Sequence, residues 1–182
     1  MIIEKYCHAY RCFLTTFDCG NSVINGYVHN KLGTDLDGSI PYFLLSEDRS
    51  IFMGFYSIEA GRLDQSYDGK HFTPMGGTVN ISYLALDKKY QHKWLGQTAE
   101  GTNFYIGDYL LNDCERRILA LSKNVGISFI TLYSSKEGYH MYHDRNGYED
   151  FDGDMITVVQ DSDVGSKKLY KWVSDISDPF GQ

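Results

Sequence analysis

The clearest alternation of side chains in the chain lies in residues 81–86, which end a run of β-branched and aromatic residues. The two alternating sets are Ile81, Tyr83 and Ala85, and Ser82, Leu84 and Leu86. This pattern predicts a buried strand that reaches the edge of its sheet at Asp87. A charged segment follows, and an amphipathic helix is expected to begin near Gly107. The order strand, turn and helix places backbone N–H groups and the positive end of a helix dipole where they can bind an anion.

Helical spacing of apolar residues predicts two longer helices. The first covers residues 22–32, with Asn21 or Ser22 as its cap, and the second runs from Ile106 to about Lys123. A buried strand at residues 127–133 follows the second helix, so the chain contains a β-α-β unit whose strands should lie parallel with a right-handed crossover.

The remaining segments receive shorter assignments. Residues 6–16 are expected to form an opening strand or loop, and 64–77 a loop on the acceptor side of a cleft. Further strands are predicted at residues 42–45, 51–58 and 154–160, of which the first two form a hairpin. The tail from 167 to 182 is expected to form a short helix that covers an edge of the sheet.

Length and charge limit the classes of function. The chain has 182 residues, which suits one domain, and a net charge of −7, which argues against a general nucleic-acid-binding surface. No stretch approaches the roughly 20 apolar residues of a membrane helix, and the N-terminal residues lack the pattern of a signal peptide. We therefore expect a soluble cytoplasmic protein. Its cysteines form no C-x-x-C pair, which favours reduced thiols over a disulfide or metal site.

The charged segment reads Gln91-His92-Lys93-Trp94-Leu95-Gly96. It resembles the pyrophosphate loop of the GNAT N-acetyltransferase superfamily, Arg/Gln-x-x-Gly-x-Gly/Ala, which follows a central strand and precedes a helix. The glutamine and the closing glycine match, whereas Trp94 stands where the family has its first glycine. Residues 97–106 look like an insertion before the helix. The alternative is an ordinary charged turn between a strand and a helix.

Residues 17–21, Phe-Asp-Cys-Gly-Asn, precede the first predicted helix. They resemble the entry of the toxin-like GNAT branch that modifies aminoacyl-tRNA, where a phenylalanine, a small residue and a glycine come before the first helix. The alternative is an ordinary helix cap.

A third match lies in residues 138–151. It resembles the GNAT signature Ala-x-x-Phe-Tyr-x-x-x-Gly-Phe, with Tyr142, Gly147 and Tyr148 on the tyrosine, the glycine and the closing aromatic residue. A hydroxyl near the sulfur can protonate the leaving thiolate, so the resemblance makes Tyr142 the general acid. Alternatively, Tyr142 only packs in a short helix. His140 and His143 are expected to be exposed, on different helix faces.

The resemblance implies an α/β (α+β) fold with a mixed, strongly twisted sheet and helices on both faces. It implies one domain, residues 1–182, in which 160–182 form a tail or covering helix. Acetyl-CoA would enter between the strands near Leu86 and Ile130, with no metal required. The implied cofactor-binding residues are Leu84 and Leu86 through their backbone, and Gln91, His92, Lys93, Trp94, Leu95 and Gly96 around the pyrophosphate.

The implied reaction is direct attack of a primary amine on the thioester, with the carbonyl polarised by the Leu86 amide. Glu59, Asn80 and Ser82 remain open as groups that assist deprotonation. The acceptor also remains open, among a small amine, a protein amine and aminoacyl-tRNA, and the last would make nucleic acid a partner. A homodimer is compatible with the sequence. The competing hypothesis is a non-catalytic interaction or ligand-sensing module, since Trp94 would block close approach of the backbone to phosphate.

Overall fold

The computed structural model describes residues 1–34, 38–157 and 167–176. Its strands are β1 (Ile2–Lys5), β2 (Ile40–Leu45), β3 (Phe52–Gln65), β4 (Thr73–Leu86), β5 (Trp94–Gln97), β6 (Asn103–Tyr105), β7 (Phe129–Ser134), β8 (Glu149–Asp150), β9 (Met155–Thr157) and β10 (Lys167–Trp172). Its helices are α1 (Ser22–Asn30), α2 (Ile106–Ser122), α3 (Lys136–Tyr139), a π-helix (His140–Arg145) and two 3₁₀ helices (His8–Thr16 and Val173–Asp175). None of the helices in these ranges is both long and apolar enough to cross a membrane.

The main sheet has the strand order β1-β2-β3-β4-β7-β10-β8, with β9 paired to β3. The β4–β7 pair is parallel, whereas β1–β2, β2–β3, β7–β10, β8–β10 and β3–β9 are antiparallel. A separate two-stranded sheet consists of β5 and β6. The mixed α+β sheet predicted from the sequence is therefore confirmed, as is the parallel β-α-β unit.

The chain divides into two compact units, and β3, β4 and α2 each contribute residues to both. One unit comprises Met1–Ile58 and Tyr83–Asp113. Its core is rich in aromatic side chains, because Phe43, Phe52 and Phe55 from the sheet meet Phe17 and Tyr27 from the region of α1.

Gly54 marks a close backbone approach in this unit. A Cβ atom at this position would lie 2.5 Å from the carbonyl oxygen of Ala85 and 2.7 Å from the side chain of Leu86. Any larger residue would therefore displace the end of β4.

The second unit comprises Glu59–Ser82 and residues 114–176 of the described chain. In it, β7 pairs with β4 from Phe129 to Leu132 and with β10 along its whole length. A small core of Leu63, Phe129 and Tyr170 forms here. The single-domain assignment from the sequence stays a prediction.

Most predicted elements are present. Asn21 caps α1 by accepting hydrogen bonds from the N–H groups of Val23 and Ile24, as expected. The second helix begins at Ile106, and the predicted hairpin is formed by β2 and β3. Of the predicted strand at 154–160, Met155–Thr157 form β9, Asp154 lies in the turn before it, and 158–160 lie outside the described residues.

Four predictions were wrong. The tail was expected to contain a helix, but Lys167–Trp172 form strand β10 inside the sheet, and only a 3₁₀ turn follows; 177–182 lie outside the described residues. Residues 6–16 mostly form a 3₁₀ helix instead of a strand or loop. The predicted loop 64–77 is shorter, because β3 extends to Gln65 and β4 begins at Thr73. The charged segment does not remain a loop as far as Gly96, because Trp94 already begins β5.

A buried ion pair connects α2 to β10 in the second unit. The Lys171 ammonium donates to a carboxylate oxygen of Glu115 at 3.0 Å, and the two side chains are 9% and 5% exposed. The same ammonium lies 5.4 Å from the centre of the Tyr148 ring. Burial raises the pKa of Glu115, and the neighbouring Lys171 opposes that rise. Each of the two buried charges is therefore compensated by the other.

We expect Lys171→Met to destabilise the protein by about 3–5 kcal/mol, because Glu115 is left as an uncompensated buried charge. The loss of the ammonium also raises the pKa of Glu115 further above its ordinary value of 4.5. A raised folded-state pKa favours folding at acid pH, and this contribution is lost as the pH rises through it. The destabilisation should thus be smaller near pH 5 than at pH 8, as measured by denaturant unfolding.

Lys167→Met is the matched control, because Lys167 is exposed on the same strand. Equal unfolding free energies for the two variants would contradict a stabilising role for the buried pair. The double variant Lys171→Met with Glu115→Leu should recover most of the loss, since it removes both charges.

Candidate active site

The parallel ladder between β4 and β7 ends before β4 does. Paired residues run from Thr78 opposite Phe129 to Ile81 opposite Leu132, whereas β4 continues to Leu86. Leu84 and Leu86, which the sequence assigned to the cofactor through their backbone, both lie on this continuation. The backbone of β4 beyond Ile81 is therefore not paired with β7.

The turn after β4 is built around Asp87, whose side chain is 6% exposed. One carboxylate oxygen accepts the N–H of Lys89 at 3.0 Å, and the other accepts the N–H of Asp18 at 3.3 Å. The Asp87 carbonyl accepts the N–H of Tyr90 at 2.8 Å. The apolar strand stops at Asp87, as predicted, because this residue turns the chain and fixes it to residues 17–21.

Gln91 provides a second set of hydrogen bonds that hold the turn. Its side-chain amide donates to the carbonyl of Leu86 at 2.9 Å and to the carbonyl of Cys19 at 2.8 Å. Gln91 therefore joins the last residue of β4 to the segment that precedes α1. The residue after it, His92, has a φ of +58°, an unusual conformation for a non-glycine residue.

The Asp18 carboxylate is the centre of this junction. It accepts hydrogen bonds from the Lys88 ammonium at 2.8 Å, the Asn25 side-chain amide at 2.8 Å and the Gly20 N–H at 2.9 Å. These donors, Lys88 first, lower the pKa of Asp18 to about 2. The other side of the junction is Cys19, whose N–H and thiol both contact the Asn25 side-chain oxygen, at 3.0 and 3.2 Å. Burial raises the pKa of the Cys19 thiol.

We call these residues, Asp18, Cys19, Asn25, Asp87, Lys88 and Gln91, the entry clamp. Two segments that resembled the family separately, 17–21 and the segment that begins at Gln91, are thus parts of one hydrogen-bonded arrangement. The sequence reading found Asp18 and Gln91 as motif residues but missed Asn25 and Lys88, because only their spatial contacts reveal their role.

The predicted pyrophosphate segment divides between two structures. Gln91, His92 and Lys93 lie in the turn, whereas Trp94, Leu95 and Gly96 lie in β5. The side chains of Trp94 and Leu95 are 60% and 41% exposed. Residues 94–105 form a hairpin. It overlaps the segment 97–106 that the sequence predicts as an insertion, and we call it the inserted hairpin for that reason.

The inserted hairpin returns to the point where it leaves the turn. The Ile106 N–H donates to the Lys93 carbonyl at 3.0 Å, which closes the hairpin at its base. Ile106 is also the first residue of α2, so the turn and the start of this helix lie together. The Asp108 carboxylate caps that start by accepting the Tyr105 N–H at 2.9 Å. The first N–H groups of a helix have no intrahelical acceptor and favour anions.

The predicted general acid, Tyr142, lies in the π-helix of the second unit and is 7% exposed. Its ring meets that of Tyr148 edge to face at 5.6 Å, and its carbonyl accepts the Tyr148 N–H at 3.1 Å. Gly147, with a φ of +68°, makes the turn between them. The pattern that suggested the signature therefore corresponds to one packed turn.

The Tyr142 hydroxyl has no hydrogen-bond partner among residues 1–34, 38–157 and 167–176. Burial, with a smaller contribution from Cys114, raises the pKa of Tyr142, so the phenol is protonated at neutral pH. A protonated, uncommitted hydroxyl on a buried side chain is suited to donate a proton to a bound ligand.

The two histidines that flank Tyr142 are exposed, as predicted, with side-chain exposures of 71% for His140 and 41% for His143. The Nδ1 atom of each ring forms a hydrogen bond with the Asp144 carboxylate, at 2.6 Å for His140 and 2.7 Å for His143. The ring of Tyr139 stacks on His143. Within the described parts of the chain, no three His, Cys, Asp or Glu side chains come together as a metal site would require.

Comparison with known proteins identifies the fold. No protein family model matches the chain, and no curated protein matches it. The structure of AtaTR bound with AcCoA is similar, with a TM-score of 0.71, 17% identity and coverage of 96% of this chain and 95% of that chain. A mutant of the AtaT toxin bound to the C-terminus of the antitoxin AtaR has a TM-score of 0.67, 18% identity and coverage of 96% and 94%. A tyrosine-to-phenylalanine mutant of KacT has a TM-score of 0.67, 22% identity and coverage of 96% and 96%.

The chain has the GNAT fold. The similarity extends over nearly the whole chain, so it includes the segments that carried the resemblance in the sequence. On the GNAT fold, the entry clamp and the turn after β4 belong to one unit, and Tyr142 belongs to the other.

We expect Gln91→Ala to loosen the turn after β4, because it removes two hydrogen bonds worth about 0.5–1.5 kcal/mol each. Amide hydrogen exchange of residues 88–93 should accelerate about fivefold or more, as read by mass spectrometry. Lys89→Ala is the control, because the Lys89 side chain is exposed. The same exchange rates in both variants would contradict the role of Gln91 in the clamp.

Proposed function

We propose that the protein is an N-acetyltransferase that transfers an acetyl group from acetyl-CoA to a primary amine by direct attack. The observation that carries the proposal is the buried Tyr142 with its uncommitted hydroxyl, on the element that follows the second parallel strand. The GNAT fold supports it, since AtaTR with this fold is bound with AcCoA. One further match, KacT, was solved with a tyrosine replaced by phenylalanine, which fits a functional tyrosine on this fold.

Tyr142 is the proposed general acid. When the amine displaces the thiolate of CoA, the sulfur needs a proton, and the phenol supplies it. A tyrosine phenol carries this proton at neutral pH, and burial favours the protonated form. No covalent intermediate with the protein is required, because the amine attacks the bound thioester itself.

The cofactor-binding role of the first unit follows the same resemblance. Backbone groups of Leu84 and Leu86 would bind the pantetheine arm, and N–H groups of Gln91 to Gly96 the pyrophosphate. The closed base of the inserted hairpin supports this assignment, because it brings the turn beside the first residues of α2. The side-chain amide of Gln91 is already engaged by two carbonyls, so its contribution to the pyrophosphate would come from its backbone.

The acceptor is proposed only as a primary amine. Aminoacyl-tRNA is the specific alternative, because AtaT is described as a toxin and residues 17–21 resemble the toxin-like branch. The net charge of −7 weighs against extended contact with nucleic acid. Glycinamide and aminoacylated tRNA are suitable probes, because both present an α-amine but only one presents phosphate.

A non-catalytic interaction or ligand-sensing module is the second candidate. It is favoured by Trp94, which is 60% exposed at the position where the family has a glycine. Calorimetry with acetyl-CoA, followed by assay of CoA release with each acceptor, tests both candidates. Micromolar binding with turnover supports the enzyme, no detectable binding at millimolar acetyl-CoA supports the module, and binding without turnover of any acceptor contradicts the enzyme.

We expect Tyr142→Phe to lower kcat by about 10²-fold or more, with acetyl-CoA affinity nearly unchanged, because it removes only the donated proton. CoA release and calorimetry provide the two measurements. Tyr139→Phe is the control, since its exposed hydroxyl donates to Asp150 outside the proposed mechanism. Wild-type turnover in Tyr142→Phe would remove Tyr142 from the reaction.

Gly96→Val tests the pyrophosphate segment. It should weaken acetyl-CoA binding by at least severalfold if the N–H groups near Gly96 contact phosphate, because the side chain crowds the approach. Gly101→Val is matched to it, since both glycines have positive φ, at +149° and +80°, and open space around the added Cβ. Weaker binding in Gly101→Val alone would move the site to the tip of the hairpin. Unchanged binding in both would exclude the hairpin and leave the turn and the start of α2.

A further inference from the structure

The ring of Tyr142 is fixed by contacts within the second unit. A Cβ atom at Gly138 would lie 3.4 Å from Cε2 of Tyr142, so there is room for only one methyl group between them. The ring of Tyr148 meets Tyr142 edge to face, with 5.6 Å between the ring centres and an angle of 74°. Because the Tyr142 hydroxyl makes no hydrogen bond to the described residues, these ring contacts determine where it points.

Tyr148 is itself held without the use of its hydroxyl. Its N–H donates to the Tyr142 carbonyl at 3.1 Å, and the residue is only 1% exposed. Its hydroxyl is buried and makes no hydrogen bond to the part of the chain that the structure describes. The Lys171 ammonium lies 5.4 Å from the centre of the ring, which is within the range of a cation–π interaction. The orientation of the Tyr148 ring therefore depends on Tyr142 on one hand and on Lys171 on the other.

The position of the Lys171 ammonium is set by Glu115. A lysine side chain is flexible, so its ammonium has no defined place in a core unless a partner holds it. Here the ammonium donates to a Glu115 carboxylate oxygen at 3.0 Å, and Glu115 lies on the long helix α2. The ion pair thus gives the cation one location beside the Tyr148 ring.

The contacts form a continuous series from Glu115 through Lys171 and Tyr148 to Tyr142. All four residues belong to the second unit, and each is 8% exposed or less. Apolar residues of similar volume in place of a buried ion pair are often neutral or stabilising. Stability alone therefore does not explain why two charges are buried here, beside the ring that contacts Tyr142.

We infer that the Glu115–Lys171 pair positions the general acid Tyr142 and acts on it through the ring of Tyr148. The inference rests on the proposed function and adds two residues that the sequence did not assign to the site. Glu115 and Lys171 are positioning residues, because they act on Tyr142 through another side chain. A hydroxyl that protonates a thiolate has to lie within hydrogen-bond reach of the sulfur, so a small rotation of its ring changes the rate.

The double variant Glu115→Leu with Lys171→Met tests the inference, because it removes both charges and should keep a stable fold. We expect kcat to fall by about tenfold or more, since a displacement of about 1 Å is enough for such a loss. The acceptor is whichever of glycinamide and aminoacylated tRNA the wild-type protein acetylates. Acetyl-CoA affinity by calorimetry should be nearly unchanged. Wild-type kcat in the double variant would overturn the inference.

Lys168→Met is the matched control. The Lys168 ammonium also lies 5.4 Å from the centre of a tyrosine ring, but this is the ring of Tyr133, whereas Tyr142 contacts Tyr148. The control variant should keep wild-type turnover. An equal loss of kcat in Lys168→Met and in the double variant would overturn the inference, because the effect would then not require contact with Tyr148.

The Tyr142→Phe background separates positioning from a general structural effect. If the pair acts by placing the Tyr142 hydroxyl, its replacement lowers kcat in the wild type but leaves the residual kcat of Tyr142→Phe unchanged. Loss of the same factor in both backgrounds would assign the pair a structural role and overturn the inference. Tyr148→Leu is a second route to the same test: it should lower kcat by a similar factor, and replacement of the pair should lower it no further.

Rotation of the Tyr142 ring provides a measurement that needs no substrate. A buried ring rotates only when the side chains around it move, because protein interiors are close-packed. NMR of protein with labelled tyrosine should show faster rotation of Tyr142 in the double variant than in the wild type and in Lys168→Met. Equal rates in all three would overturn the inference. Absence of turnover by the wild type with every acceptor would instead contradict the proposed function, and the ring measurement distinguishes the two failures.

Discussion

The described structure of the first unit depends on how the chain is held as it leaves the central strand. The side-chain amide of Gln91 bridges the carbonyls of Leu86 and Cys19, and Asp87 and Asp18 add a second set of bonds. A turn of this kind would otherwise be among the least stable parts of a domain, since loops bury few apolar groups. Here, a network of hydrogen bonds stabilises the turn in place of buried apolar groups. The turn comes directly after the strand on which the proposed cofactor contacts lie.

The elements that the sequence predicted correctly are those whose pattern is local. The helix α1 has its own cap at Asn21, and α2 and β7 each carry a long periodic run of apolar residues. The prediction for the residues of β10 was wrong because Leu169, Tyr170 and Trp172 fit a short helix as well as a strand. Its state is decided by β7 and β8, on either side of it, which no local pattern reveals.

The sequence could predict those parts of the candidate site that depend on the type and the spacing of neighbouring residues. Tyr142 was found from its spacing to Gly147 and Tyr148, and that spacing corresponds to a real turn. The contacts of Gln91 and Lys88 were not predictable, because their partners are distant in the sequence: Cys19 precedes Gln91 by 72 positions, and Asp18 precedes Lys88 by 70. A motif specifies residue types, whereas their engagement in hydrogen bonds depends on the folded chain.

The closed base of the inserted hairpin allows the hairpin to change independently of the turn and the helix that flank it. The nitrogen of Ile106 and the oxygen of Lys93 are 3.0 Å apart, so the chain enters and leaves the hairpin through nearly the same point. A segment attached in this way can lengthen, shorten or exchange its sequence without moving the turn or the helix, because loop-closure entropy changes only slowly with length. The hairpin is therefore a position where descendants of this protein can acquire new surface while the scaffold beneath it is inherited unchanged.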